Sequence, residues 1–358
     1  DSSTSRGLGD VYKRQGVDMG APGVRKIRRG GFHTTGPDEF SHAPFFLLGQ
    51  RHLHSDRGTG PDPARRQCPA PLALALLHFY FRTPAMPSPL AAHFRDLHHR
   101  HDVLLLPNAW DAASAHLQAQ AGARAVATSS AALCWALGYQ DGGTLPVGEL
   151  MAALRRITRT LGVPLTVDIE DGYSDSPEAV AELAGEVIRC GAVGINIEDG
   201  AGASELLAEK IQAIRSRTGA AQLFINARTD VYLRALAPEG AEAVALAQKR
   251  ARTYAQAGAD GLFVPGLVKD EQIRQVASAT HLPLNLMLLP GLPDTPHLAL
   301  AGVRRLSAGP ALFLSAHAQL AADTTAFMNG DTADILRRAL PFASVNHLFA
   351  AQSAHPIV

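Results

Sequence analysis

The sequence predicts an α/β fold, specifically a (β/α)8 TIM barrel, and three observations carry that reading. Strand-length apolar runs at Leu165–Glu170, Gly194–Asp199, Leu223–Asp230 and Pro283–Met287 run into charged or polar residues. Segments of helical period separate these runs, which is the pattern of parallel βα units. Ala-Gly-Ala or Cys-Gly-Ala recurs at 121–123, 190–192 and 257–259, each time as a C-cap glycine before a strand. In a barrel the strand C-termini meet on one face, where active sites lie. Asp168, Glu170, Glu198 and Arg228 would then share one mouth, a set that suits a divalent metal with an anionic substrate.

Taken in order, the first strand is Val103–Leu106, followed by a helix over 112–121. The second strand, 124–128, ends at Ser129-Ser130. A helix over 147–161 sets Leu150, Leu154, Ile157 and Leu161 on one stripe. Strand 165–168 leads to a helix opened by Ser176-Pro177-Glu178, a cap residue followed by a first-turn proline. Strands at 194–197, 223–227, 261–264, 284–287 and 303–306 alternate with helices over 204–217, 239–257, 269–279, 294–301 and 310–326. Eight such units fit a barrel. The alternative, an open doubly wound sheet, would want a glycine-rich dinucleotide fingerprint at the first βα junction, and none is there.

The chain has 358 residues, 46% of them apolar and 18% charged, with formal net charge +0. No global field favours nucleic acid or an acidic membrane. Cys68, Cys134 and Cys190 are far apart and odd in number, which fits reduced thiols in a cytoplasmic protein rather than a disulfide framework. The apolar stretch 70–80 is too short to span a bilayer. Residues 1–85 are rich in Arg, Gly, Pro, His and Ser without sustained period, and the first fifteen resemble a translated sequencing adapter. We expect 1–85 to be a disordered or artefactual arm with Met86 as the natural start, 86–340 the barrel, and 341–358 a C-terminal tail.

The motifs Leu106-Pro107-Asn108-Ala109-Trp110-Asp111, Ala127-Thr128-Ser129-Ser130, Leu137-Gly138-Tyr139-Gln140-Asp141-Gly142, Val167-Asp168-Ile169-Glu170-Asp171-Gly172, Asn196-Ile197-Glu198-Asp199 and Asn226-Ala227-Arg228-Thr229-Asp230 occur in this order. Together they resemble the isocitrate lyase / phosphoenolpyruvate mutase superfamily. The resemblance implies an α/β barrel, dependence on Mg²⁺ (Mn²⁺ as alternative), and a small 2-oxo or hydroxy carboxylate as substrate. It also implies a homo-oligomer, dimer or tetramer, that exchanges the eighth helix, here residues 310–326.

By resemblance, Asp168 is the direct metal ligand, and Glu170, Glu198 and Asp141 hold its waters. Arg228 faces the substrate carboxylate or enolate. Ser129, Ser130 and Ala131 bind substrate through backbone N–H groups and a hydroxyl, with Ser129, Glu198 and Arg228 as the catalytic set. Trp110 walls the pocket, and Asn285 completes the substrate site. Asp199 and Asp230 read as supports. Each residue also has a plain reading: Arg228 as a neutralising charge, Trp110 as core, Ser129 and Ser130 as turn residues.

The chemistry is coherent. Clustered carboxylates protonate or bind a cation, and oxygen ligands suit Mg²⁺. A bound cation would polarise a 2-oxo acid and stabilise an enolate while a neighbouring C–C or C–P bond is made or broken. The chain departs from the lyase pattern after Glu198, where Asp199-Gly200-Ala201-Gly202-Ala203 replaces a segment carrying an acid/base cysteine. Its loop there is also shorter than the mutase gating loop. C–C lyase or hydrolase chemistry is therefore favoured over phosphonate mutation. The rivals are a non-catalytic metal and carboxylate binder, and a class II aldolase-like barrel, which would want a strand-end histidine.

Overall fold

The computed structural model describes residues 88–219 and 222–350, so the expectation for the 1–85 arm lies outside the described residues. Helix α1 (Pro89–Leu97) opens on Ser88, whose side chain accepts from Ala91 N, with proline in the first turn. The first strand position is split by Pro107 into β1 (Leu104–Leu106) and β2 (Asn108–Ala109). Then follow α2 (Ala112–Gln120), β3 (Val126–Thr128), α3 (Ser130–Ala136), α4 (Val147–Thr158), β4 (Leu165–Asp168), α5 (Pro177–Arg189) and β5 (Gly194–Glu198). Next come α6 (Ser204–Thr218), β6 (Phe224–Arg228), α7 (Ala241–Ala257), β7 (Gly261–Phe263), α8 (Asp270–Ser278), β8 (Leu284–Met287), α9 (Thr295–Leu300) and β9 (Val303–Ser307). Helices α10 (Ala311–Met328), α11 (Ala333–Arg338) and α12 (Phe342–Leu348) end the described chain.

All strands are parallel, in the order β1-β9-β8-β7-β6-β5-β4-β3-β2. The list begins and ends on the two halves of one strand: β1 pairs with β9, β2 with β3. Pro107 has no N–H to give to a ladder, so the strand changes partner there and the sheet closes into the predicted barrel. The C-cap glycines behave as predicted, Gly122, Gly191 and Gly258 all taking left-handed φ between two elements.

Several elements differ from the sequence reading. β2 was hidden by Pro107. Helix α3 occupies what reads as a loop after the second strand, since it starts one residue past the strand end under the Ser129 cap. Residues 342–348, assigned to the tail, are helical.

Two cores divide the barrel. Val126, Val167, Ile195, Ile225, Leu262 and Leu284 face outward and pack under the helices. Inside its lower end, α1 inserts Phe94 and Leu97 against Leu104, Leu106, Ala127 and Phe224. Phe94 meets Phe224 edge-on at 5.5 Å, and His98 stacks on Phe224 at 4.1 Å. Gly194 leaves room for this plug, because a Cβ there would lie 2.8 Å from Phe94. An ion cluster locks the same corner: Asp260 takes Arg95 at 2.5 Å and also Arg215, while Arg215 donates to the Gly258 and Leu223 carbonyls at 2.7 Å. The lower end is therefore sealed, and the polar strand ends are the open side. Among the described residues no helix is long and apolar enough to cross a membrane.

Helix α10 stands apart. Of its eighteen residues only Phe313 is buried, while Leu320, Phe327 and Met328 are exposed.

Removing the plug tests this account. Phe94→Ala should lower unfolding free energy by about 3–5 kcal/mol, the usual range for a buried phenylalanine, read as a shifted urea midpoint.

Candidate active site at the barrel mouth

Asp168, Glu198 and Arg228 are the last residues of β4, β5 and β6, so the sheet delivers all three to the same rim. Glu198 and Arg228 are register partners across β5 and β6, and their side chains pair at 2.5 Å. Arg228 turns its remaining donors on Asp230, with Nε at 2.7 Å and Nη2 at 3.1 Å from the two carboxylate oxygens. Asp230 is fully buried and also takes Arg234 at 3.1 Å. Its backbone N–H donates to Asp199, whose carboxylate receives Arg250 at 2.6 Å and the Tyr254 hydroxyl. The carboxylates around it push the Arg228 guanidinium up, against the opposing effect of burial. Arg228 is thus fixed on three sides, its geometry set by bidentate pairing that a lysine could not reproduce.

This accounting leaves Asp141, Asp168 and Glu170. None of them is in an ion pair among the described residues; neutral donors hold them instead. Asp168 accepts from Glu170 N at 3.2 Å and from Ser130 N, and its own N–H donates to Thr128 Oγ1 at 2.9 Å. Asp141 is hydrogen-bonded to the Ser130 side chain. Glu170 accepts from Gly143 N at 2.5 Å and from the Tyr173 hydroxyl at 3.1 Å. Burial raises all three, and each is raised further by neighbouring carboxylates. Glu170 is pushed up to about 7, by burial first and then by Asp168 and Asp141. Glu170 also sits at φ 50, a left-handed conformation uncommon for a glutamate.

The trio is a fit for a hard divalent cation. Asp168 and Glu170 are buried and Asp141 half-buried, all three lie outside direct ion pairs, and Arg228 offsets their repulsion only in part, which is the condition under which carboxylates either protonate or bind metal. Asp141 and Glu170 oxygens and the Cys134 sulfur lie within 4.8 Å of one another, so a thiol borders the same space. Cys134 is on α3 rather than in a loop, and burial pushes its thiol up to about 12. Glu198, expected to hold the metal's waters, pairs with Arg228 and lies close enough to Asp168 and Glu170 for their charges to raise it.

The predicted substrate residues are placed unevenly. Ser129 caps α3, accepting from Ala132 N at 3.4 Å, while Ser130 joins Asp168 to Asp141 and so sits against the trio. Ala131 is buried in the first turn of α3. Trp110 packs edge-on against Phe313 of α10 at 5.2 Å, in an aromatic group with Trp135 and His317. Asn285 lies inside the barrel, accepting from Ser307 Oγ at 3.2 Å. Sequence reasoning missed Thr128, Tyr173, Arg250, Tyr254 and above all Arg305, which is fully buried inside the barrel. The only available signal for Arg305 was an arginine at an alternate position of a short strand.

The raised Glu170 sets a sign for pH dependence. Its folded pKa lies above the unfolded value, so its contribution to stability is largest below pH 4.5 and falls as pH rises through 7. Without added metal, stability should decline from pH 5 to 8 by at most about 3 kcal/mol for this group, and Tm should fall with it. Glu170→Gln should flatten that decline, and saturating Mg²⁺ should reverse it; differential scanning fluorimetry reads both.

Comparison with known proteins agrees with this geometry. Residues 94–328, more than half of the chain, match the phosphoenolpyruvate phosphomutase family model. An uncharacterised protein of Mycobacterium tuberculosis (strain H37Rv) is 35% identical over 262 residues, covering 70% of this chain and 94% of its own. An oxaloacetate decarboxylase of Bradyrhizobium diazoefficiens is 31% identical over 221 residues, covering 60% of this chain and 74% of its own. A crystal structure from Burkholderia cenocepacia J2315, described as a phosphonomutase, superposes with TM-score 0.63 at 42% identity, covering 66% of this chain and 98% of that one. With its closed parallel barrel and its ordered strand-end motifs, the chain belongs to the phosphoenolpyruvate mutase / isocitrate lyase superfamily of lyases, hydrolases and phosphonomutases, in a branch lacking the lyase cysteine segment.

Proposed function

We propose that the chain is a Mg²⁺-dependent enzyme that cleaves a C–C bond next to the carbonyl of a small 2-oxo or hydroxy carboxylate, through an enolate. The observation that carries this is the trio Asp141, Asp168 and Glu170, all raised and none in a direct ion pair, beside Ser130 and the anchored Arg228. Asp168 would ligate the metal directly, with Asp141 and Glu170 holding its waters, and Mn²⁺ would serve in its place. The bound ion would supply Lewis-acid polarisation of the substrate carbonyl. The protein's own part is positional. The Ser129 hydroxyl and the Ala131 N–H would orient a substrate carboxylate, and Arg228 would present fixed positive charge to the developing enolate. Trp110 closes one side.

The oxaloacetate decarboxylase relative breaks a C–C bond, and the Burkholderia relative is described as a phosphonomutase. The C–C reading is preferred here because the residues after Glu198 reach α6 at Ser204 with no long gating segment to shield a reactive intermediate from water.

We also propose a cytoplasmic homo-oligomer, dimer or tetramer, in which α10 packs on a neighbouring copy. The exposed Leu320, Phe327 and Met328 support the contact, and the free thiols of Cys134 and Cys190 support a reducing compartment.

A panel of small 2-oxo acids, oxaloacetate, phosphonopyruvate and 2-methylisocitrate, assayed with Mg²⁺ and with chelator, tests the activity. Chelator-sensitive turnover should fall at least about 100-fold in Asp168→Asn, the scale of losing a fixed electrostatic group. Metal-independent turnover, or activity that survives Asp168→Asn, would reject the mechanism. Light scattering on Phe327→Glu should show a smaller species than wild type, and an unchanged mass would reject α10 as the contact.

A further inference from the structure

Helix α6 carries an apolar stripe, Leu207, Ile211 and Ile214, that packs into the main core. Lys210 lies three residues after Leu207 and four before Ile214, so it falls on the same stripe. Its side chain is only 4% exposed. Lysine is almost never so deeply buried unless it is paired, and the pairing here is weak. Its ion pair is with Asp175 at 4.0 Å, a side chain 91% exposed. The short contact is elsewhere: Nζ donates to the Asp171 carbonyl at 2.9 Å.

That carbonyl belongs to the turn after β4, in which Glu170, Gly172 and Tyr173 all take positive φ. Neither glutamate nor tyrosine favours that region, so surrounding contacts must hold the turn there. Several of them are backbone or local. The Glu170 carbonyl accepts from Glu198 N at 2.8 Å, Gly172 N donates to the Ile169 carbonyl at 2.8 Å, and Tyr173 N donates to Asp171 Oδ1 at 2.9 Å. Lys210 adds a side chain from a separate helix, with a charged donor that strengthens the bond. The peptide it grips lies between Glu170 and Tyr173, and those two side chains meet again at the mouth. The Tyr173 hydroxyl donates to Glu170 Oε1 at 3.1 Å, and Gly143 N donates to Oε2 at 2.5 Å.

We propose that Lys210 is a positioning residue of the mouth: its buried ammonium anchors the Asp171 carbonyl and so holds the strained turn that aims Glu170 at the cation site. This rests on the reading of Asp141, Asp168 and Glu170 as that site. The position itself argues for the role. An apolar side chain of similar length would fill the same space with no charge to desolvate, and replacing buried charges in this way often leaves a fold as stable or more so. A lysine kept on an apolar stripe therefore serves the turn, and the core would do without it.

Mn²⁺ binding to the full chain in the presence of oxalate, read from the free-ion electron paramagnetic resonance signal, tests this without turnover. Lys210→Met should keep or raise Tm yet weaken Mn²⁺ binding at least about tenfold, the scale on which residues behind a metal site act. Asp175→Asn should stay within about threefold of wild type, as expected of an exposed ion pair. In a Glu170→Gln background, Lys210→Met should cost less than about threefold more, because residues that act through one another are not additive. Wild-type affinity in Lys210→Met overturns the role, as does a loss that persists in full in the Glu170→Gln background. A loss in Asp175→Asn equal to that in Lys210→Met assigns the effect to the ion pair and overturns it as well. Should Lys210→Met not fold, Lys210→Leu is read by the same comparisons, and two unfolded variants assign Lys210 to the core and overturn the role. A wild type that binds no Mn²⁺ overturns the active-site reading and this proposal together.

Discussion

The mouth depends on how Arg228 is held. Glu198 takes one end of the guanidinium, and Asp230 takes the other through two bonds. Behind Asp230 stand Arg234 and Asp199, and behind Asp199 stand Arg250 and Tyr254. These pairings orient the Arg228 guanidinium toward Glu198 and Asp230 rather than into direct ion pairs with Asp141, Asp168 or Glu170, so its charge offsets Asp168 and Asp141 only in part. Two carboxylates about 4 Å apart repel by roughly 4 kcal/mol at an effective dielectric near 20, so buried Asp168 and Glu170 and half-buried Asp141 are all raised, even with the Arg228 charge nearby. A freer Arg228 would collapse onto the trio, and the cation site would become an ordinary salt bridge.

The fold keeps that arrangement stiff by giving the chain only one open end. Phe94, His98 and Phe224 fill the opposite end. Asn108 ties the first strand position to its neighbours, donating to the Thr128 carbonyl at 2.7 Å and accepting from Gly309 N at 2.9 Å. The turn after β4 is strained, since Glu170 and Tyr173 both take positive φ. Such residues typically cost about 1–3 kcal/mol and persist where surrounding contacts over-determine them. Here the Glu170 carbonyl accepts from Glu198 N at 2.8 Å, the Gly172 N–H donates to the Ile169 carbonyl at 2.8 Å, and a Cβ on Gly172 would collide with Val180. The strain points the Glu170 carboxylate at Gly143 and the trio.

Much of this was legible in the sequence because barrel topology converts strand ends into neighbours. Once 165–168, 194–198 and 224–228 are strands, Asp168, Glu198 and Arg228 must meet. The pairing within the mouth was not legible. That Glu198 belongs to Arg228, while Glu170 and Asp141 belong to each other and Cys134, depends on register and on a φ that no propensity announces. Arg305 escaped for a different reason. An Arg-Arg pair on a short strand reads as surface, and only the register shift between Leu284 and Asn285 on β8, paired with Val303 and Arg305, accounts for the irregularity of this strand pair. Helix α3 escaped because seven residues after a strand are too few to show a helical period.

Trp110 is where α10 meets the barrel. Its indole, Trp135 and His317 surround Phe313, the one buried side chain of α10, and His317 stacks on Phe313 at 3.7 Å. Trp110, which follows β2, and the residues that anchor α10 are therefore one aromatic group. A single phenylalanine offers little area to hold an eighteen-residue helix in water, and most of its apolar surface stays uncovered. Contact of α10 with a second copy would fix Phe313, and through it Trp110, more firmly than one chain can. Assembly and the shape of the mouth are then coupled through packing, with no charge or conformational switch required between them.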